Sequence, residues 1–262
     1  MVVLIRGGGD LGTGVAYRLH RAGFKVIIAE LAQPLVIRRT VAFASAVYEG
    51  RMAVEGVEAR LTHDLAEIEE FLAQGIVPVI VDPEGELIST LQPDVIVDAR
   101  MAKRNLGTTI TQAPIVIGLG PGFIAGQDVH AVIETARGHN LGRVILQGSA
   151  EPDTHIPGLV QGYGRERVLW APCAGTFHGL LRIGDQVEAG QTVAYVAEQP
   201  VLASISGVLR GLLHNGLSVH EGQKVGDIDP RGTVEHCFTI SDKALAISGG
   251  VLEAILYLRR KK

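Results

Sequence analysis

The sequence predicts an α/β protein, with an N-terminal Rossmann-like, mostly parallel sheet, a smaller duplicated all-β barrel-sandwich module and a C-terminal helix. Three observations predict it. A glycine-rich turn joins a short apolar run to a helical pattern at the N-terminus, and short β-branched runs bounded by Pro, Gly or Asp continue beyond it. The second half repeats itself at a fixed offset and is punctuated by turn residues rather than helical periodicity. The divisions read as 1–163 for the α/β part, 164–232 for the duplicated module and 233–262 for a helical segment docking on the rest.

Val2 to Ile5 is the first strand; Leu11, Val15, Ala16 and Leu19 then share one helical face up to Gly23, and Phe24 to Ala29 forms the next strand, closing on Glu30. This is a βαβ unit of the usual ~30 residues. Between its first strand and helix lie Gly7, Gly8, Gly9, Asp10, Leu11 and Gly12, which satisfy G-x-G-x-x-G. In that position glycines let backbone approach a pyrophosphate, the helix start offers unpaired amides, and an acid about 20 residues on can bond a ribose hydroxyl. Glu30 stands at that spacing. Asp10 sets a negative charge beside the expected phosphate, with Arg6 to offset it, and Arg38 with Arg39 supplies further positive charge.

Met52 to Thr62 alternates around Glu55-Gly56 as a hairpin, and Asp64 caps a helix through Gln74. Strands follow at Val77 to Val81, Val95 to Val97, Ile115 to Ile117 and Val144 to Leu146. Polar residues cluster after two of them, where open α/β sheets place ligands: Asp98, Arg100 and Lys103 after one, and the Gly118, Gly120 and Gly122 loop after the next. A helix is expected from about Asp128 to Arg137, with His130, Glu134 and Arg137 along its polar face and His139 just beyond. Convergence of these groups with the two glycine loops makes a pocket for a large anionic ligand, so Arg137 and His139 join the candidates. No catalytic triad, carboxylate pair or metal-ligand spacing emerges.

Gly175, Gly179, Leu180, Leu181, Gly184, Val187, Gly190, Gln191 and Val193 all recur as identical residues 32 positions on, Gly175 as Gly207 and Val193 as Val225. Such self-similarity means duplicated structure. The stretch Gly184 to Gln191 and its partner resemble the biotinyl and lipoyl domains. In those carriers a Lys on the joining hairpin takes the cofactor, but Ala197 to Ser204 contains no Lys, so covalent biotin or lipoate is excluded there. Packing, contact between copies in a homo-oligomer, or covering of the first pocket is the expected role. Ile240 onward closes the chain with a helix carrying Gly249-Gly250, a pair expected to permit a kink or a close approach.

Composition bounds the function. The 262 residues include 33 Gly and 11 Pro with 47% hydrophobic residues, which excludes collagen and a disordered low-complexity chain. A formal net charge of −4 gives no footprint for nucleic acid, and the Arg259 to Lys262 tail is too short to change that. No apolar stretch reaches the length of a membrane span. Cys173 and Cys237 are the only thiols, without C-x-x-C spacing, and a reducing cytoplasm fits them.

Taken together, Ile5 to Gly14, Arg38 to Phe43, Asp98 to Met101, Gly118 to Phe123, Glu134 to His139 and Asp229 to Arg231 resemble the YqeB family of the selenium-dependent molybdenum hydroxylase system. Gly12 stands where that family is associated with a small Ala, a swap not expected to endanger the loop. The resemblance implies an accessory role in maturing molybdenum hydroxylases, akin in kind to the XdhC/CoxI factors. The implied partners are such a hydroxylase or its maturation proteins, and the implied ligand is molybdopterin cytosine dinucleotide or another nucleotide. Two other readings stand beside it: an NAD(P)-dependent oxidoreductase using His139 or Lys103 as proton donor, and a persulfide or selenium carrier using Cys173.

Overall fold

A computed structural model describes residues 1–154 and 156–260; Lys261 and Lys262, the end of the basic tail, lie outside the described residues. The chain gathers into two compact units. One comprises Met1–Pro34, Ala42–Thr154 and the described chain from Ile240 on; the other comprises Leu35–Val41 and the described part of His155–Thr239.

The first unit is built on β1 (Val2–Arg6), α1 (Asp10–Arg21), β2 (Lys25–Glu30), α2 (Ala46–Glu49), β3 (Arg51–Val54), β4 (Val57–Leu61), α3 (Leu65–Ala73) and β5 (Val77–Val81). It continues through α4 (Leu87–Leu91), β6 (Val95–Asp98), β7 (Ile115–Leu119), β8 (Ala131–Ile133) and β9 (Val144–Ile145). These strands form one nine-stranded sheet in the order β3-β4-β5-β2-β1-β6-β7-β8-β9. Pairing is parallel from β4 to β8 and antiparallel at both ends, β3 with β4 and β8 with β9. Glu55 and Gly56 turn the β3–β4 hairpin with φ of 46° and 83°, the left-handed pair that matches the twist of two-residue loops. Asp64 caps α3 by accepting the Ala66 amide at 2.8 Å. Leu4, Ile27, Ile96, Val116 and Val132, one from each of five central strands, are essentially buried in a single apolar cluster.

The second unit holds β10 (Val168–Trp170), β11 (Gly175–Gly179), β12 (Gln186–Val187), β13 (Thr192–Val196), β14 (Gln199–Leu202), β15 (Gly207–Leu212), β16 (Ser218–Val219) and β17 (Lys224–Asp229). They form two four-stranded antiparallel sheets, β10-β17-β15-β12 and β14-β13-β11-β16. Each copy of the repeat lends its short middle strand to the other's sheet: β12 pairs with β15 of the second copy and β16 with β11 of the first. In the first unit, α5 (Asp242–Arg259) runs without a break through Gly249-Gly250, capped by Ser241, whose hydroxyl accepts the Ala244 amide.

This architecture corrects the expected fold class. A large mixed sheet with little helix, together with two antiparallel sheets, is not the Rossmann-like layer plus barrel-sandwich module that the sequence pattern suggested. The crossovers from β6 to β7 and from β7 to β8 contain no α-helix. The helix expected at 128–137 is the plainest case: Ala131–Ile133 instead pairs parallel with β7, Ile117 opposite Ala131 and Leu119 opposite Ile133. A short apolar run fits either period, and here the open edge of β7 supplies the missing hydrogen-bond partners.

Candidate functional site

The carboxyl ends of β1 and β6 bring part of the predicted set together. Arg6 is paired with Asp98, and Asp98 with Gly118, so these three lie in one row across the sheet. Gly7 follows at φ 101°, and a Cβ there would sit 3.0 Å from the Ala99 carbonyl and the Arg100 amide. The turn is therefore glycine because two backbones touch, and the left-handed conformation adds to that requirement.

The rest of the loop is held from several sides. Gly8 donates its amide to Glu30 Oε2 at 2.7 Å, and its carbonyl accepts from the Ala44 amide at 2.9 Å and the Thr13 hydroxyl at 3.0 Å. Thr13 Oγ1 in turn accepts the Phe43 amide. A Cβ on Gly8 would meet Ala44 N at 2.9 Å, and one on Gly12 would overlap the Gly7 carbonyl oxygen. Gly7, Gly8 and Gly12 are thus required by the protein's own backbone. At Gly12 the loop as built has no room for a methyl group.

What the loop leaves to a ligand is the start of α1. Gly9 is the N-cap, with φ −63° and ψ −179°, and no side chain caps the first turn. The amides of a first turn have no partner within the helix and carry its partial positive charge.

Charged groups gather at the carboxyl ends of β1 and β6. Asp98, 2% exposed, accepts from Arg100 Nη2 and from Thr108 Oγ1, each at 2.6 Å. Arg100 also donates to the Leu106 carbonyl. Arg6, 4% exposed, reaches Thr108 Oγ1 at 3.4 Å. Burial and the charge of Arg100 push the Arg6 guanidinium below its usual range, against the opposing pull of Asp98, Asp82 and Glu84. Burial likewise pushes the Glu30 carboxyl up, although the amides of Leu31 and Gly8 hold it down. Glu30 serves here as a buttress of the glycine loop, with both oxygens engaged.

The remaining candidates take other partners. Lys103 pairs with Asp153 at 2.6 Å, and Arg137 forms an exposed bidentate pair with Asp242. His139 is exposed in the turn after β8. A Cβ on Gly118 would strike the Phe123 ring, one on Gly120 the Thr135 side chain, and one on Gly122 the Arg104 backbone, so that loop too is glycine for packing. Arg38 belongs to the second unit, where it meets the buried Asp227 at 3.2 Å. Cys173 Sγ lies 3.5 Å from the Val196 carbonyl. Among the described residues no group of three or more His, Cys, Asp or Glu is arranged to hold a metal ion.

Thr13 and Thr108 were not singled out from the sequence. Thr13 had a signal, since it sits in the first turn after the glycine motif. Thr108 had none, because its partners Asp98, Arg100 and Arg6 reach it only through the fold.

No family profile matches the chain. It is 51% identical over 257 residues to "Uncharacterized protein YqeB" of Escherichia coli (strain K12), an alignment that covers 98% of this chain and 48% of that protein. The chain thus spans about half the length of the curated relative it matches. Solved structures with partial likeness include an aspartoacylase family protein from Mesorhizobium loti, at 11% identity and TM-score 0.25, covering 80% of this chain and 58% of that one. Others are the ectoine utilization protein EutE (DoeB) from Ruegeria pomeroyi (12%, TM-score 0.26) and a succinylglutamate desuccinylase from Silicibacter sp. TM1040 (16%, TM-score 0.26), each covering 87% of this chain and 84% of its own. At these TM-scores the likenesses carry no argument. Among the described residues, no helix is long and apolar enough to cross a membrane.

Proposed function

Since the chain is a relative of YqeB along nearly all of its own length, we propose that it binds the pyrophosphate of a nucleotide-type cofactor at the start of α1 and serves the maturation of molybdenum hydroxylases. The observation that carries the binding step is the first turn after Gly9, which no side chain caps, at the carboxyl end of β1. Amides of the first turn would hold phosphate oxygens. Molybdopterin cytosine dinucleotide carries such a pyrophosphate, and the residues present fit that part of it. Glu30 keeps the loop in shape and is assigned no ribose contact. The maturation role draws its support from the resemblance of these motif blocks to the YqeB family.

The test is a titration of wild type and a Gly9→Asp variant with molybdopterin cytosine dinucleotide and with free cytidine, adenine and nicotinamide nucleotides. Gly9 has ordinary φ, and Asp is a favoured N-cap, so the variant retains the fold while its carboxylate takes the amides and repels phosphate. Loss of about tenfold or more in affinity is the expected result, the scale of one charge-assisted bond. Equal binding by both proteins, or no binding by wild type, ends the proposal.

A further inference from the structure

A second, separate concavity lies wholly within the second unit. Its volume is about 440 Å³, and its walls are the β11–β12 turn, the end of β15 with the residues after it, and Arg39 with Thr40. Equivalent positions of the two repeat copies face it together: Leu180 and Ile183 from the first, Leu212 and Asn215 from the second. Two of the residues lining it, Arg39 and Arg182, are charged, and both are cationic.

Their chemistry is that of donors. Arg39 Nε donates to the Leu212 carbonyl at 2.7 Å, which fixes its guanidinium at the wall. Arg182 is exposed, and no protein acceptor holds its guanidinium among the described residues. Asn215 Oδ1 accepts the Gly179 amide at 2.8 Å, so its oxygen is committed and its Nδ2 remains a donor. The neighbouring Arg38 points elsewhere, to Asp227, and adds nothing to this wall.

We propose that this cavity binds the phosphate group of a small phosphorylated metabolite. Two guanidinium charges match a phosphate of about −1.5 to −2 better than a carboxylate of −1, and planar guanidinium groups bond phosphate oxygens in pairs. The volume suits a small molecule rather than a bare ion. This site is independent of the one at the start of α1.

Amide NMR of the full chain, titrated with inorganic phosphate and, at matched ionic strength, with acetate, tests it. Phosphate is expected to shift Gly179, Leu181 and the Asn215 side-chain amide at concentrations where acetate does not. Arg182→Gln should weaken this response about tenfold, the scale of one charge-assisted bond. Asn215→Asp, which keeps the bond to Gly179 but adds a negative charge, should do the same, and Gly9→Asp should leave it unaltered. Equal response to acetate, unchanged affinity in both cavity variants, or shifts confined to residues 9–11 overturns the proposal.

Discussion

Glu30 shows how a residue legible as a ligand group can be occupied by the protein itself. Its spacing from the glycine loop was readable in the sequence, but the direction of its carboxylate was not, because that depends on how closely Gly8 and Leu31 approach it. Replacing Glu30 by Gln turns one acceptor into a donor facing an amide, in a site only 8% exposed. The expected loss is about 1–3 kcal/mol in urea unfolding, the cost of a buried donor left unpaired. Gly12→Ala is expected to cost a similar ~1–3 kcal/mol, since the methyl must displace the Gly7 carbonyl or the loop must shift. An Ala variant as stable as wild type in the same assay would show that the loop relaxes freely.

The two glycines inside α5 behave oppositely although the sequence offers them as one pair. A Cβ on Gly250 would overlap the Gly142 carbonyl oxygen and sit 3.0 Å from Ile133, whereas a Cβ on Gly249 meets nothing. Gly250 therefore marks a close approach, and the helix continues through it. Gly249→Ala is expected to stabilise by up to ~1 kcal/mol and raise the thermal midpoint, because Ala lowers the entropy cost of helix formation. Gly250→Ala is expected to lower that midpoint; equal effects of the two would contradict the packing described. Elements with a strong local signal were legible in this way: the Glu55-Gly56 hairpin, the Asp64 cap and the central strands all stand where the pattern puts them. The segment 128–137 was not, since its strand exists only because β7 offers an edge.

For the molecule as a whole, the sequence conveyed the βαβ start, the run of parallel strands and the duplication, but not the architecture they compose. Sheet closure by β8 and β9, and the recruitment of Leu35–Val41 into the second unit, depend on partners distant in sequence. The ion cluster of the second unit sets an acid limit on stability. Burial alone would raise the Asp229 carboxyl, but the hydrogen bonds and charge of Arg231, with Arg210, hold it down to about 2. The buried Asp227 is lowered too, the charges of Arg38, Lys224 and Arg167 prevailing over its desolvation. A lowered value gives stability that is complete above the ordinary Asp range and is lost as pH falls toward the folded value. Asp229 accordingly contributes about 2 kcal/mol that disappears between roughly pH 4 and pH 2. Glu30, raised in the first unit, runs the other way, its contribution present in acid and lost as pH rises through its folded value. Trp170, the one tryptophan, lies in β10 beside β17, so its fluorescence reports the second unit. Acid unfolding followed by Trp170 should lose this part of its pH dependence in Asp229→Asn, which is also expected to be less stable at neutral pH; an unchanged acid slope would exclude the assignment. The ion cluster also divides labour between the repeat copies. Where the second copy has Arg210, Asp227 and Asp229, the first has His178, Tyr195 and Ala197 at the matching positions. Arg38 enters from outside the repeat and serves one copy only. The halves are therefore no longer interchangeable: a chain carrying the first copy twice would strand the arginines at 38 and 167 without their acid, and one carrying the second copy twice would set its aspartates at positions 195 and 197, which are exposed, where no buried ion cluster forms.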